Sequence, residues 1–433
     1  MGALAVLTVQ SLSSQAAAQA YLIQERAESL KDAPTDPAVW QAYGLTLQRA
    51  GNLDEAEKQY KHAAKLQKNA PQAIYLVARV AAARGNYRKA KLACRAMEKD
   101  FGHSAWSDLC MAAAHVDFRR PSQALPLIEG ALAKAPDLKE AKLLLADAKR
   151  IEGDAAGAAS AYEALLAAGG LTPAQHAHVY LGQAALSRLR GDEATALKSI
   201  QAAVAADGDD PEVQYALGMA LTGEAALSHI QRALQGRPSY PEAKVAQARI
   251  LVSLGRHVDA DNALRAVAKD SASRALALDL DTLQGVTWLA LDRLKEAEGA
   301  LARGLEKAPD DGVAALNLAR VYAKTGRVEE ALDKYRVAAG LMPKDATPLL
   351  EAGELASAQG REGRAVAFLK RAAKLHPTDP NVQVELGDAL STIGDLTGAK
   401  DAYAKAEASP GFAKRAEVSA KISELKKKAA KRR

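Results

Sequence analysis

The sequence predicts an all-α protein built from a tandem array of paired helices. The chain has 433 residues, and single hydrophobic cores stop growing near ~250–300 residues. Small residues recur every 34 positions from residue 37 to residue 411, and periods of roughly 20–50 residues are typical of stacked repeats. Apolar residues make up 48% and charged residues 25% of the chain, a balance typical of a folded globular protein. Together these observations indicate a repeat array.

Two positions within the 34-residue period always carry small side chains. Position 8 is glycine or alanine in all eleven repeats, and position 20 is alanine once a four-residue deletion in the sixth repeat is allowed for. Position 24 is bulky in most repeats. Small residues at two fixed positions allow two helices to approach closely. The repeats begin at Pro37, Pro71, Ala105, Lys139, Ala177, Pro211, Pro241, Leu278, Gly312, Ala346 and Pro380.

Turn residues separate the predicted helices. Position 15 is glycine in eight repeats, which suits a helix end that needs positive φ, whereas the third and eighth repeats have Arg119 and Asp292 there. Proline at position 32 closes five of the second helices, and pairs such as Asp36–Pro37 predict an N-cap followed by a first-turn proline. The glycines at position 15 are Gly51, Gly85, Gly153, Gly191, Gly255, Gly326, Gly360 and Gly394.

This pattern resembles the tetratricopeptide repeat over residues 37–411. The resemblance implies a right-handed α–α superhelical solenoid of about eleven helix-turn-helix repeats, in which the first helix of each repeat lines a concave groove. A gain or loss of four residues is about one helical turn, so we expect irregular geometry at the fifth and sixth repeats. The matching residues are Trp40, Tyr43, Gly44, Ala56 and Tyr60 in the first repeat, and Ala319, Tyr322, Ala331, Tyr335 and Pro343 in the ninth.

The two ends of the chain differ from the array. An apolar run from Ala3 to Val9, followed by small residues at 16–20, resembles a secretory signal, although no Lys or Arg precedes Arg26. We expect residues 1–20 to be a signal peptide or an N-terminal helix, and residues 21–36 to form an N-terminal capping helix. Residues 412–433 are expected to form a basic capping helix, since the end of a solenoid needs a polar outer face.

Motifs for catalysis or cofactor binding are missing from the sequence. It has no nucleotide-binding, zinc-protease or hydrolase motif, so it predicts neither an enzyme nor a cofactor or metal site. His176 and His178 are two residues apart near a helix start and point to different faces, which disfavours a metal site. Adjacent helices could bring Cys94 and Cys110 together in an oxidising compartment, but buried thiols are the favoured interpretation.

The groove is predicted to bind a protein or peptide partner. In the tetratricopeptide repeat family, positions 2, 5, 6, 9, 12 and 13 of each first helix face the groove. These positions are basic in the seventh and ninth repeats and acidic in the tenth and eleventh, so we expect a basic ligand segment on the acidic side. It would come from a partner or from the Lys/Arg tail of another copy. The predicted groove residues are Arg249, Arg320, Lys324, Glu351, Glu354, Glu385 and Asp388.

The net charge of +6 is concentrated at one end. Residues 412–433 hold nine basic and two acidic side chains, so the rest of the chain is nearly neutral and nucleic-acid binding over the whole surface is disfavoured. Aromatic residues, at 4%, are too few for stacking on single strands. A solvated helix end is favoured for the tail, with attachment to an anionic surface or nucleic acid as the alternative. The tail residues are Lys426, Lys427, Lys428, Lys431, Arg432 and Arg433.

The leading hypothesis from the sequence is a non-catalytic scaffold that binds a partner in the groove. The signal-like start places it in a bacterial periplasm, in envelope or exopolysaccharide-export assembly, and a cytoplasmic adaptor is the alternative. No apolar run reaches the roughly 20 residues that span a bilayer. The sequence does not identify the partner or the oligomeric state.

Overall fold

Each 34-residue period folds into two helices, because the apolar stripe of one helix is buried only against its neighbours in the stack. The computed structural model describes residues 22–66 and 71–431, with side chains as far as Lys427. Within those ranges every regular element is a helix, and no strand occurs. The predicted signal region, residues 1–20, lies outside the described residues.

The chain divides into two compact units, one ending at Ile250 and the other beginning at Leu251. They are called the N-terminal and C-terminal units below. Helices are numbered in chain order, and α1 covers residues 22–32. The next helices are α2 (Pro37–Arg49), α3 (Leu53–Leu66), α4 (Pro71–Ala83), α5 (Tyr87–Phe101), α6 (Ala105–Asp117), α7 (Pro121–Lys134), α8 (Lys139–Glu152), α9 (Ala155–Ala168), α10 (Pro173–Leu189), α11 (Glu193–Asp207), α12 (Pro211–Ala220), α13 (Gly223–Gly236) and α14 (Pro241–Ser253). The remaining helices are α15 (His257–Lys269), α16 (Ser271–Leu276), α17 (Leu280–Ala290), α18 (Leu294–Lys307), α19 (Gly312–Lys324), α20 (Val328–Leu341), α21 (Thr347–Ala358), α22 (Glu362–Leu375), α23 (Pro380–Thr392), α24 (Leu396–Ala408) and α25 (Arg415–Lys431).

The predicted repeat starts agree with the helix starts to within one residue except in the fifth and eighth repeats. Helix α10 begins at Pro173, four residues early, because the inserted residues add a turn behind a capping box at Thr172. In the eighth repeat the short helix α16 comes first, and α17 then begins at Leu280. Helix α12 has 10 residues where α2, α4 and α6 have 13. The predicted shortening of the sixth repeat is therefore confirmed.

Close helix packing explains the small residues at positions 8 and 20. The alanines at position 20 are all 0–1% exposed. A Cβ added to Gly353 would lie 2.5 Å from Cγ of Leu369, and one added to Gly44 would lie 2.6 Å from Cε1 of Tyr60. Both distances are shorter than carbon atoms tolerate. The bulky side chain at position 24 therefore occupies the space that glycine leaves at position 8.

The turns between paired helices need a left-handed residue. The position-15 glycines have φ between 67° and 98°, and the two exceptions adopt the same conformation, with φ of 54° at Arg119 and 58° at Asp292. Asp36 accepts a hydrogen bond from the backbone N–H of Ala38 at 2.8 Å, which confirms it as an N-cap. Asp210 and Asp379 cap their helices in the same way.

The two cysteines form a disulfide, and the favoured prediction of buried free thiols is therefore wrong. Cys94 lies on α5 and Cys110 on α6, with their Cα atoms 5.4 Å apart. This separation is within the range that a disulfide spans. The second helix of one repeat packs directly on the first helix of the next, which brings the two side chains together.

Helices at both ends cover the array. Ile23 of α1 packs against the core of the first repeat. Val418, Ile422 and Leu425 of α25 are buried and join the core that α24 contributes to. Over the described residues, no helix combines the length and the apolar character needed to cross a bilayer.

Candidate functional site

The inner surface of the N-terminal unit carries charged side chains from several repeats. Nη1 of Arg79 on α4 lies 3.2 Å from Oδ1 of Asp117 on α6. Burial lowers the pKa of Arg79, but Asp117 and two more distant carboxylates raise it above its ordinary value. Those two carboxylates belong to Asp147 on α8 and Glu212 on α12. The first helices of the second to sixth repeats therefore face one another across this surface.

Asp147 is the centre of a hydrogen-bonded group on this surface. Its carboxylate accepts a hydrogen bond from the Tyr162 hydroxyl at 2.6 Å and lies 2.8 Å from Nε2 of His178. Burial raises the pKa of Asp147, whereas the His178 charge and hydrogen bond lower it, and the net pKa lies below the ordinary value. Burial lowers the pKa of His178, but Asp147 raises it more, and the net pKa lies above the ordinary value. This pair was not predicted, because its members lie 31 residues apart.

A contact across the N-terminal unit joins the first repeat to the fifth and sixth. Nη2 of Arg49, at the end of α2, lies 2.8 Å from Oδ2 of Asp207, at the end of α11. Nε of Arg237 donates a hydrogen bond to the carbonyl oxygen of Arg49 at 3.1 Å. The end of the first helix of the first repeat thus contacts the ends of the fifth and sixth repeats.

The two histidines singled out in the sequence have separate surroundings. His178 contacts Asp147, whereas Nδ1 of His176 lies 3.2 Å from the carbonyl oxygen of Thr172. The His176 ring also stacks with Tyr180, with 6.5 Å between ring centroids. In the part of the chain that is described, no group of three or more His, Cys, Asp or Glu side chains is arranged to hold a metal ion.

Two of the three predicted basic residues of the groove contact acidic residues of neighbouring repeats. Arg320 on α19 forms a two-pronged contact with Glu351 on α21, with Nη2–Oε1 at 2.6 Å and Nε–Oε2 at 2.9 Å. Nζ of Lys324 lies 3.0 Å from Oδ1 of Asp292. Arg249 lies on α14 and belongs to the N-terminal unit. The structure therefore places Arg320 beside the acidic residues, and Arg249 in a different unit from them.

The acidic residues predicted for the groove lie on α21 and α23 of the C-terminal unit. Burial and the neighbouring carboxylates of Glu385 and Glu351 raise the pKa of Glu354. Burial and the charge of Asp388 raise the pKa of Glu385, and the charges of Lys421 and Lys414 offset only part of this rise. Among the described residues, neither Glu354 nor Glu385 has an ion-pair partner. The four carboxylates, called the acidic cluster below, are Glu351, Glu354, Glu385 and Asp388.

The C-terminal helix supplies a cation to one end of the acidic cluster. Nζ of Lys421 on α25 lies 2.8 Å from each carboxylate oxygen of Asp388. The Tyr403 hydroxyl donates a hydrogen bond to the same carboxylate at 2.5 Å. An open, polar cavity of about 410 Å³ lies here between α23 and α25, with Ser391 and Glu424 in its lining. Within the acidic cluster, Glu351 forms an ion pair with Arg320 and Asp388 forms one with Lys421. Among the described residues, Glu354 and Glu385 are the two members of the cluster without an ion pair.

The basic tail is described only in part. Lys426 and Lys427 lie on α25 with exposed side chains. Lys428 and Lys431 lie on the same helix, but their side chains fall outside the described residues, as do Arg432 and Arg433. Attachment through the tail therefore stays a prediction.

The repeat geometry defines the class of the protein. The chain belongs to the tetratricopeptide repeat family, whose model matches residues 42–104, 111–171, 152–211, 282–346 and 350–412. The stretch between these matches, from 212 to 281, contains the shortened sixth repeat and the extra helix α16. Repeats of this family build protein-interaction scaffolds, and the predicted fold class is confirmed.

Solved structures similar to the chain share little sequence identity with it. The crystal structure of yeast Tom70 is 12% identical, with a TM-score of 0.40, over 91% of this chain and 96% of that chain. The crystal structure of the APC/C hetero-tetramer Cut9–Hcn1 is 17% identical, with a TM-score of 0.33, over 86% of this chain and 81% of that chain. No curated protein sequence matches the chain significantly. The family assignment rests on the repeat model.

Proposed function

We propose that the protein is a non-catalytic scaffold whose C-terminal unit binds a basic segment of a partner protein at the acidic cluster. The observation that carries the proposal is that, among the described residues, Glu354 and Glu385 lie beside two paired carboxylates without an ion-pair partner of their own, and the pKa of each is raised. Burial and repulsion from neighbouring carboxylates disfavour their charged forms, and the attraction of a bound cation offsets both effects. A Lys or Arg side chain in contact with the two carboxylates is therefore favoured over a neutral or acidic one.

Two neighbouring contacts support a basic segment as the ligand. Arg320 neutralises Glu351 at one end of the acidic cluster, and Lys421 neutralises Asp388 at the other. The chain's own cations thus already contact the outer members of the cluster. A ligand with Lys or Arg at its centre extends the same pattern to Glu354 and Glu385. The ligand comes from a partner or from the Lys/Arg tail of a second copy.

Charge reversal at the acidic cluster tests this proposal. The probe is a fluorescein-labelled peptide of alternating Lys and Ser, titrated with the full chain and followed by anisotropy. Glu354→Lys combined with Glu385→Lys should weaken binding at least about tenfold, because like charges then oppose each other at the site. Reversing Glu354 and Asp388 to Lys should also abolish binding, but it should lower the melting temperature as well, because Asp388 pairs with Lys421 and accepts the hydrogen bond of the buried Tyr403 hydroxyl.

A matched variant separates local from overall charge effects. Asp333 and Asp401 lie on α20 and α24 with exposed side chains. Changing both to Lys alters the net charge equally but leaves the acidic cluster intact. This control should bind the probe with nearly normal affinity at ~0.15 M salt, since exposed charges beyond the Debye length of about 8 Å are screened. Equal affinity in the control and in the Glu354/Glu385 variant would contradict the proposal.

For the cellular location, we propose a bacterial periplasm, with a role in envelope or exopolysaccharide-export assembly. The signal-like residues 1–20 support export, and so does the Cys94–Cys110 disulfide, because such bonds persist in oxidising compartments. The mature protein is then expected to begin near Tyr21. Intact mass measured on protein from the native host tests this, and a mature chain that retains residues 1–20 would overturn export by this signal.

A further inference from the structure

A second cavity lies on the inner surface of the N-terminal unit, where the sixth repeat is short. Helix α12 ends at Ala220, one turn earlier than the first helices of the other repeats, while its neighbour α10 continues to Leu189. The last turn of α10 therefore has no facing turn on α12, and Leu189 is 72% exposed. The resulting open cavity measures about 430 Å³, within the roughly 300–1,000 Å³ range of ligand pockets.

Aliphatic and aromatic side chains form most of the cavity wall. Leu181, Ala185 and Leu189 line it from α10. Tyr215 of α12 and Tyr240 line the opposite side, with ring centroids 5.1 Å apart at an interplanar angle of 47°. Apolar surface left open to water in this way is stabilised by a bulky apolar side chain that displaces the water.

Two guanidinium groups on the cavity wall have only loose acidic contacts. Nε of Arg188 lies 3.6 Å from Oε2 of the exposed Glu193. Nη2 of Arg150 lies 3.7 Å from Oδ1 of Asp147, and its Nε lies 3.4 Å from the Tyr162 hydroxyl. Charge-assisted hydrogen bonds are normally ~2.7–2.9 Å long. Both arginines therefore have donor capacity for a closer carboxylate.

The acidic residue in the cavity wall does not offset these cations. Oε1 of Glu212 lies 3.1 Å from Nη2 of Arg237, so this carboxylate is already paired. Arg237 also covers the Tyr240 ring, with its Cζ 4.8 Å from the ring centroid. The remaining charge in the wall is positive, which is opposite to that of the acidic cluster in the C-terminal unit.

We propose that this cavity binds a partner segment in which a large apolar residue adjoins an Asp or Glu. The apolar side chain fills the space beside Leu189, Tyr215 and Tyr240. The neighbouring carboxylate accepts hydrogen bonds from Arg188 and Arg150. This inference goes beyond the proposed function, since it assigns a second site with the opposite charge preference.

An array of immobilised decapeptides tests the proposal with the full chain. Each spot carries one apolar–charged, apolar–neutral or polar–charged pair at its centre, with Gly and Ser elsewhere. The chain should be retained on apolar–acidic spots at least about tenfold more strongly than on apolar–Gln or Ser–acidic spots. Equal retention on these three kinds of spot, or none on any of them, would overturn the proposal.

Variants of α10 then locate the binding. Arg188→Glu should abolish the preference for acidic spots, and Ala185→Phe should fill the cavity and abolish retention on them. Arg190→Glu is the matched control, because Arg190 lies at the end of the same helix and outside the cavity lining. Arg188→Gln gives a milder test should Arg188→Glu lower the melting temperature. The proposal would be contradicted if the Ala185→Phe and Arg188→Gln variants both kept the preference for apolar–acidic spots.

The same array distinguishes this inference from the proposed function. The Glu354→Lys/Glu385→Lys variant should lose retention on basic spots and keep it on acidic ones. Loss of both in that variant would assign acidic-spot binding to the C-terminal unit and overturn the inference. Failure on basic spots alone would count only against the proposed function.

Discussion

Lys421 and Asp388 are joined by two contacts of 2.8 Å, one to each carboxylate oxygen. They lie 33 residues apart in the sequence, on the capping helix and on the first helix of the last repeat. The capping helix therefore covers apolar surface and also neutralises one member of the acidic cluster. This arrangement makes Asp388 less available to a ligand than Glu354 or Glu385.

Removing the cation of Lys421 should strengthen binding of a basic ligand. Lys421→Gln frees Asp388 to contact the Lys–Ser probe, and the affinity should rise about 1.4-fold to fivefold, because exposed ion pairs contribute roughly 0.2–1 kcal/mol. Lys427→Gln removes the same charge from an exposed position of α25 and is the control. Fluorescence anisotropy with both variants checks this, and an equal rise in the two would indicate a general charge effect.

Enlarging a position-20 alanine should destabilise the array. Ala331 is fully buried between the helices of the ninth repeat. Ala331→Leu should lower the free energy of unfolding by ~1–3 kcal/mol, because the added methylene groups overpack the contact. The control is Ala404→Leu, at an exposed position of α24. Urea unfolding of both variants measures the difference, and a neutral result at Ala331 would mean that position 20 is not a close contact.

Glycine in place of Arg119 should stabilise the N-terminal unit. Arg119 has a φ of 54°, a conformation that costs a non-glycine residue roughly 1–2 kcal/mol. Glycine avoids this cost, but it favours the unfolded chain by about 0.5–1 kcal/mol because it gives that chain more conformational freedom. Arg119→Gly should therefore stabilise by about 0.5 kcal/mol. The reverse change Gly326→Arg, at a φ of 76°, should destabilise the ninth repeat by about the same amount. Thermal melting measures both shifts, and shifts of the same sign would refute the conformational argument.

The His178–Asp147 pair should make stability depend on pH. The pKa of His178 is raised above 6.5, so its contribution is complete below that value and is lost as pH rises through the folded-state pKa. The pKa of Asp147 is lowered from 3.8, so its contribution holds above that value and is lost as pH falls through the folded-state pKa. Glu212 also raises the pKa of His178, and Arg79 opposes this. The pair should stabilise most between about pH 4 and pH 6.5.

Replacing the histidine isolates this effect from other titrating groups. Urea midpoints of the wild type and His178→Gln should differ more at about pH 5.5 than at a pH above the folded-state pKa of His178, where the imidazole has lost its charge. His176→Gln is the control, since His176 contacts a backbone carbonyl and not a carboxylate. A difference between wild type and His178→Gln that stays constant over this range would show that the pair does not titrate as argued.

The repeats themselves are readable from the sequence, because their determinants are local. Position 20 needs a methyl group wherever two helices of one hairpin meet, and position 15 needs positive φ wherever that hairpin turns. The same constraints recur in every repeat and so produce a periodic signal. The two repeats without glycine at position 15 obey the same constraint, since Arg119 and Asp292 there also adopt a positive φ.

Side-chain contacts between neighbouring repeats could be predicted from the sequence only in part. Arg320 at position 9 and Glu351 at position 6 of the next repeat lie 31 residues apart. Opposite charges at those two positions are a signal for such a contact, although the order of charges along the chain assigns the two residues to separate basic and acidic regions. The Cys94–Cys110 bond is a similar case, since packing of α5 on α6 decides it.

The sequence by itself determined the repeat period, most of the helix starts, the turn residues and the family, since each depends on residues within one hairpin. Only the tertiary structure decided which charges are neutralised, which carboxylates are left unpaired, and where a shortened helix opens a cavity. Those features depend on side chains that meet across helices one or more repeats apart. Their distances follow from how each helix packs on the next, and the periodic pattern leaves the outward-facing side chains free to vary.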